Sequence, residues 1–290
     1  MRKLKVMIVL LFLLSAAAFA AYNVISRLAE DHTPPEITCE SDSISVSVED
    51  EPSALLDGVK AEDNRDGDLT KDVRVSFMSN FTEPGKRTIT YAVFDKANNA
   101  ATMERTLEYT DYTSPQIQLS APLRYSLEEM ADVNLTENMS VEDCLDGDLT
   151  SQIRATYNEG VYISQAGDYT LTVQVSNSAG DTCSVPLTLT VVDPSDDSQR
   201  DKYYPILSKY IVYTGAGEQV DLASLVTGVE RNGSEYLFSE GEQSGIPGGP
   251  ETVAISGNVD YNTAGTYIVD YSYTSADGVT AVTKLTVVVE

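Results

Sequence analysis

Glu62, Asp63, Asp66 and Asp68 crowd into one short acidic stretch, and Glu142, Asp143, Asp146 and Asp148 repeat it later in the chain. Hard oxygen ligands at such density suit Ca²⁺, which takes about six to eight of them. The spacing departs from the EF-hand loop, however. Asn64, Asp66 and Gly67 fall on its third, fifth and sixth places, but Val73 stands where the bidentate glutamate belongs. The competing account is an Asp-Gly turn, in which Asp side chains accept from local backbone N–H groups while Leu69 and Leu149 plug a core. Calcium at these carboxylates is therefore one of two expectations, and no other cofactor is expected.

Nucleophilic catalysis has little to work with. His32 is the only histidine, no catalytic spacing surrounds it, and it reads as a linker residue behind an apolar segment. No carboxylate pair stands in a conventional glycosidase context, and Trp, a good platform for sugar stacking, is absent. The chain is read as non-enzymatic. Its net charge of −26 excludes nucleic acid as a partner, because phosphate binding needs clustered Lys and Arg.

The elements that position the acidic stretches are repeated with them. Asp-Gly-Asp-Leu-Thr occurs at Asp66 to Thr70 and again at Asp146 to Thr150, and Pro35-Glu36-Ile37 answers Pro115-Gln116-Ile117 in the same frame. Further on, Gly85 answers Gly167, and Asp95-Lys96-Ala97-Asn98 answers Asn177-Ser178-Ala179-Gly180 after a two-residue insertion. A fixed period of this length means tandem copies of a small folded domain. Ile44, Val46 and Val48 alternate with serines, Ile89, Tyr91 and Val93 alternate with Thr88, Thr90 and Ala92, and Leu171, Val173 and Val175 do the same in the second copy. Alternation at period two, broken by turn residues, predicts antiparallel sandwiches. Asp193 to Arg200 is a polar linker. After it Pro205-Ile206-Leu207 restarts the frame and Gly265 to Tyr271 aligns with Gly167 to Val173, so the third segment is expected to be a divergent sandwich. It lacks the acidic pentapeptide, gains a glycine- and proline-rich loop from Gly241 to Pro250, and carries many tyrosines between Tyr203 and Tyr273.

Ahead of the repeats, three basic residues in Met1 to Lys5 precede an uncharged run from Val6 to Ile25. This is an export signal, either cleaved after Ala18-Phe19-Ala20 or kept as a single-pass membrane anchor through residues 6–25. The anchor is the favoured reading. In both cases the basic end stays inside and the repeats lie outside.

Thr33-Pro34-Pro35-Glu36-Ile37, Glu62 to Thr70, Pro84-Gly85 and Asp95 to Ala100 together resemble the bacterial immunoglobulin-like repeat known from an insecticidal crystal protein, common in Gram-positive surface proteins. The resemblance covers 33–111 and 113–193, and the hyalin-type repeat is a related match. It implies an all-β protein of tandem immunoglobulin-like β-sandwich domains after an N-terminal transmembrane helix, with no catalytic site. The expected organisation is an anchor or signal over 1–30 and domains over 31–111, 112–194 and 195–290. The expected function is a cell-surface spacer or an adhesion or binding module, for an unidentified surface protein or glycan. A carbohydrate-binding accessory or an extracytoplasmic sensor or assembly protein is the alternative. The repeat alignment also sets Asn64 opposite Cys144 and Ala101 opposite Cys183, so both cysteines are present in one copy and absent from the other, at places that resemble hyalin-type cysteine positions. A Cys144–Cys183 disulfide is expected on that ground, with two unpaired small residues as the other reading and Cys39 as a free thiol.

Overall fold

The computed structural model describes residues 2–157, 161–239 and 248–290, apart from the side chains of residues 28 and 29. Most of the Gly241 to Pro250 loop thus lies outside the described residues. The apolar N-terminal run is one helix, Arg2–Ala29, whose sequence contains neither Gly nor Pro to interrupt it. Within it the span Arg2–Arg27 is apolar enough and long enough to cross a bilayer.

The chain divides into two compact units, Met1–Tyr112 and Thr113–Glu290. In the first, a small antiparallel sheet joins strands Glu36–Cys39, Val59–Asp63 and Gly67–Asp68. A larger sheet runs Ser43–Val46, Ala100–Tyr109, Lys86–Phe94, Arg74–Met78. Ser43–Val46 pairs in parallel with Ala100–Tyr109, so the chain changes sheets just after Cys39 and closes the sandwich along that edge. The alternation resolves as a core: Ile44, Val46, Ile89, Tyr91 and Val93 turn inward against Leu69, Val73 and Leu107. Val48 falls in the turn beyond its strand.

The second unit repeats this plan twice. Its first large sheet joins Arg154–Tyr157, Gly167–Ser176, Thr182–Val192 and, in parallel, Arg124–Ser126. Its second joins Ala254–Ser256, Gly265–Thr274, Thr280–Val289 and, in parallel, Ile211–Thr214. The segment without an acidic pentapeptide therefore folds on the same scheme, its small sheet formed by Tyr204–Leu207, Val226–Arg231 and Ser234–Leu237.

These last two sandwiches are not separate beads, because one hydrophobic cluster runs through both, from Ile117, Leu119 and Leu123 to Leu207, Tyr210 and Ile211. The Tyr213 hydroxyl donates to Ile117 O at 3.1 Å and accepts from Ile117 N at 3.0 Å. Arg124 stacks 3.7 Å above the Tyr204 ring and pairs with Glu230. Gln116 Nε2 reaches Glu290 Oε2 at 3.2 Å, so the first and last segments of the unit meet at one end. The two sandwiches lie side by side and run in opposite directions.

The acidic turns as a candidate functional site

Each residue of the repeated pentapeptide has a structural task. Gly67 and Gly147 both take φ +72°, a left-handed conformation that glycine adopts without strain and that lets the strand reverse. Asp68 accepts from Thr70 N at 2.9 Å and Asp148 from Thr150 N at 2.8 Å. These bonds, with the threonine hydroxyls, hold both carboxyls below the usual range. Leu69 and Leu149 are buried, and their N–H groups bond Ala61 O and Val141 O. The hydroxyls of Thr70 and Thr150 accept from Ala61 N and Val141 N. Asp66 ties the turn to the loop before the last strand, taking Lys96 N at 2.8 Å and Lys96 Nζ at 2.9 Å. Asp146 does the same with Ser178 N and Oγ. The Lys96 ammonium and N–H hold the Asp66 carboxyl low.

Among the expected calcium ligands, then, Asp66, Asp68, Asp146 and Asp148 are occupied by local donors, and Glu62 and Glu142 are exposed on the hairpins. Val73, at the missing EF-hand glutamate position, is 1% exposed in the core. What sequence reasoning missed is where Asp63 points. Its Oδ1 accepts from Asp66 N and Arg65 N, both at 2.8 Å, which keeps the carboxyl below its ordinary range and ionised. Its Oδ2 is buried and has no hydrogen-bond partner. Carboxylate oxygens of Asp31, Asp63 and Asp95 lie within 4.8 Å of one another, drawn from the segment behind the helix, the acidic turn and the loop before the last strand. Asp95 accepts from Asn99 N and Nδ2, both at 2.7 Å, and Asn99 Nδ2 also reaches Asp31 O at 3.1 Å. Asp31 Oδ1 takes Thr33 N, and Arg65 Nε stands 3.5 Å from Asp31 Oδ2. The repeat alignment held a signal for this cluster: Asp95 is answered by Asn177, a change of charge at an otherwise matched place.

In the second copy Asp143 and Asn177 meet directly, Nδ2 to Oδ2 at 3.2 Å. Asn177 Oδ1 accepts from Ala179 N and Asp181 N. The third copy places Ser275 in the matching loop, where Ser275 N donates to Val279 O as Asp95 N does to Asn99 O and Asn177 N to Asp181 O.

The expected disulfide is not formed, and all three cysteines are free thiols. Cys144 sits in the acidic turn and donates to Thr113 O at 3.3 Å. Cys183 lies on the strand Thr182–Val192, 3.5 Å from the Tyr213 hydroxyl of the neighbouring sandwich. The close packing of the third sandwich, invisible to an alignment of two copies, gives Cys183 a different neighbour.

The architecture is that of tandem immunoglobulin-like β-sandwiches behind an apolar helix. Residues 43–108 match the family described as bacterial surface protein, Ig-like domain, so the first sandwich is a domain of that bacterial surface-protein family. No curated protein matches the chain in sequence. Among solved structures, CBM51-2 with GlcNAc and the INT domains of ZmpB from Clostridium perfringens is 18% identical at a TM-score of 0.22, over 52% of this chain and 26% of that one. The ZmpB M60 catalytic domain with CBM51-1 and CBM51-2 is 15% identical at 0.21, over 88% and 31%. The chain thus spans less than a third of either. Mouse Cadherin-23 EC22-24 is 14% identical at 0.20, over 89% and 99%.

Proposed function

We propose that this chain is a non-enzymatic cell-surface protein, held in the membrane by residues 6–25 with its sandwiches outside, and that it works as an adhesion or binding module. The reading is carried by one observation: an Ig-like domain of a bacterial surface family follows within a few residues of a helix long enough to span a bilayer. The sign of the charge supports it, since three basic residues precede the span and the acidic remainder follows. A pure spacer gains reach from domains stacked end to end. Here the second and third sandwiches share a core and lie side by side, which adds breadth and favours the binding role.

Two measurements test the reading. Mass spectrometry of the protein recovered from cells should find the N-terminal segment attached, and a mature N-terminus at Ala21 would replace the anchored protein with a secreted one. The detergent-solubilised chain should then retain a surface protein or a glycan, in pull-downs from cell-surface extracts and on glycan arrays. Retention of neither, or turnover of generic hydrolase substrates, overturns the binding assignment.

A further inference from the structure

The cluster of Asp31, Asp63 and Asp95 asks for a counter-charge that the described side chains do not supply. Three carboxylates present oxygens within 4.8 Å of one another, and two of them, Asp63 and Asp95, are 8% and 5% exposed. Like charges this close in a low-dielectric setting repel strongly unless a cation stands between them. The two basic groups nearby are engaged to one side: Lys96 is held by Asp66, and Arg65 reaches Asp31 from a half-exposed position. One guanidinium against three carboxylates leaves an excess of negative charge. Asp63 Oδ2, meanwhile, is a buried acceptor with no donor, although its partner oxygen has two. A buried charged oxygen left bare costs far more than one that is bonded, so its retention points to a ligand that is not a hydrogen-bond donor.

We propose that Asp31, Asp63 and Asp95 bind one calcium ion in the first sandwich. Oxygens that share a Ca²⁺ at roughly 2.3–2.6 Å each lie no more than about 5 Å apart, which the cluster satisfies. All three donors are hard carboxylates, with no sulfur or imidazole among them to favour a softer metal.

The second copy is a built-in comparison. Of the three positions only Asp143 keeps its carboxylate in place. Asp95 has become Asn177, whose amide donates to Asp143 Oδ2, the atom that matches the bare oxygen of Asp63. The Asp95 and Asn99 pair is in effect exchanged for Asn177 and Asp181, and Asp181 faces Ser114 instead. The place of Asp31 falls on Asp111, which serves the first sandwich by accepting from Ser47 Oγ and Val48 N. Where the neutral amide is present the buried oxygen is satisfied, and where it is absent three carboxylates converge.

Asp31 lies just beyond Ala29, the last residue of the helix. An ion held between Asp31 and the buried pair Asp63 and Asp95 fixes the segment that leaves the membrane span onto the first sandwich. The joint between anchor and sandwich is then stiff in calcium and looser without it.

The test uses the full chain in detergent micelles, with thermal unfolding in EDTA and in 10 mM calcium chloride, and hydrogen exchange over residues 31–35 and 59–69 to report on the first unit. Sites of extracellular modules bind at about 10⁻⁴ to 10⁻³ M, so the wild type should gain on the order of 10 °C in the first unit, with slowed exchange at 31–35. Asp95→Asn copies the second repeat and should still fold. It should lose the calcium increment and, in EDTA, melt at or above the wild type, because one repulsive charge is gone. Asp63→Asn should also abolish the increment. No calcium response in the wild type overturns the site, as does an equal response in Asp95→Asn. A variant that melts below the wild type by the same margin with and without calcium would assign Asp95 a structural role only.

Discussion

Asn177 Nδ2 stands 3.2 Å from Asp143 Oδ2, at the place where the first sandwich sets the carboxylate of Asp95 toward that of Asp63. An amide at this place closes a polar contact where the first sandwich has converging carboxylates, on acidic turns whose Asp63 and Asp143 Oδ1 atoms each accept from the two matching backbone N–H groups.

Asn177→Asp should therefore harm the second unit. The change removes a buried donor and sets two carboxylates against each other, a loss of about 1–3 kcal/mol. Urea unfolding followed by fluorescence would show it as a lower midpoint with an unchanged slope. Calcium should not restore the loss, since the third carboxylate is missing there.

Acid should weaken the first unit early. Asp66, Asp68 and Asp111 are held low, by Lys96, by Thr70, and by Ser47 with Val48 N respectively. A folded-state pKa below the unfolded one gives stability that is present above the unfolded value, about 3.9, and lost as pH falls through the folded value. The melting temperature should thus be level from pH 7 to about 5 and fall below about 4. Asp66→Asn should melt lower at neutral pH and show a shallower acid fall.

Arg124 and Glu230 join the second and third sandwiches, each side chain 19% exposed, with the guanidinium on Tyr204. Arg124→Met strands the Glu230 carboxylate and should cost about 3–5 kcal/mol in the second unit. The double variant with Glu230→Leu should recover most of it. A double variant as unstable as the single would show that the stacking on Tyr204 carries the joint instead.

The cysteines give a direct count. Titration of the denatured, unreduced chain should find three free thiols, as the structure has them. A single free thiol would mean that Cys144 and Cys183 pair after all.

The sequence discloses whatever is carried by local pattern. Alternating Ile44 and Val46, or Leu171, Val173 and Val175, marks strands because side-chain direction has period two. Gly67 marks a reversal because only certain residues tolerate its φ. Asp63 was visible as an acidic residue, but its partners Asp31 and Asp95 lie far off along the chain, and only the sandwich brings them together. The same limit hid the pairing of the last two sandwiches: Tyr213 and Arg124 read as ordinary strand residues until Ile117 and Glu230 are known to stand opposite. Cys144 and Cys183 misled for a related reason, since joint presence in one copy is also what a shared neighbouring surface produces.

The meeting of Gln116 with Glu290 has a mechanical meaning. Tension applied between the two ends of the 113–290 unit falls first on the Gln116–Glu290 hydrogen bond that joins them. The strands Thr280–Val289 and Ile211–Thr214 would then be peeled apart bond by bond from that end, whereas a sandwich pulled along its strands resists by shearing many bonds at once. Loaded in this way, the 113–290 unit would lengthen strand by strand from that end, at a lower force than the same strands loaded in shear.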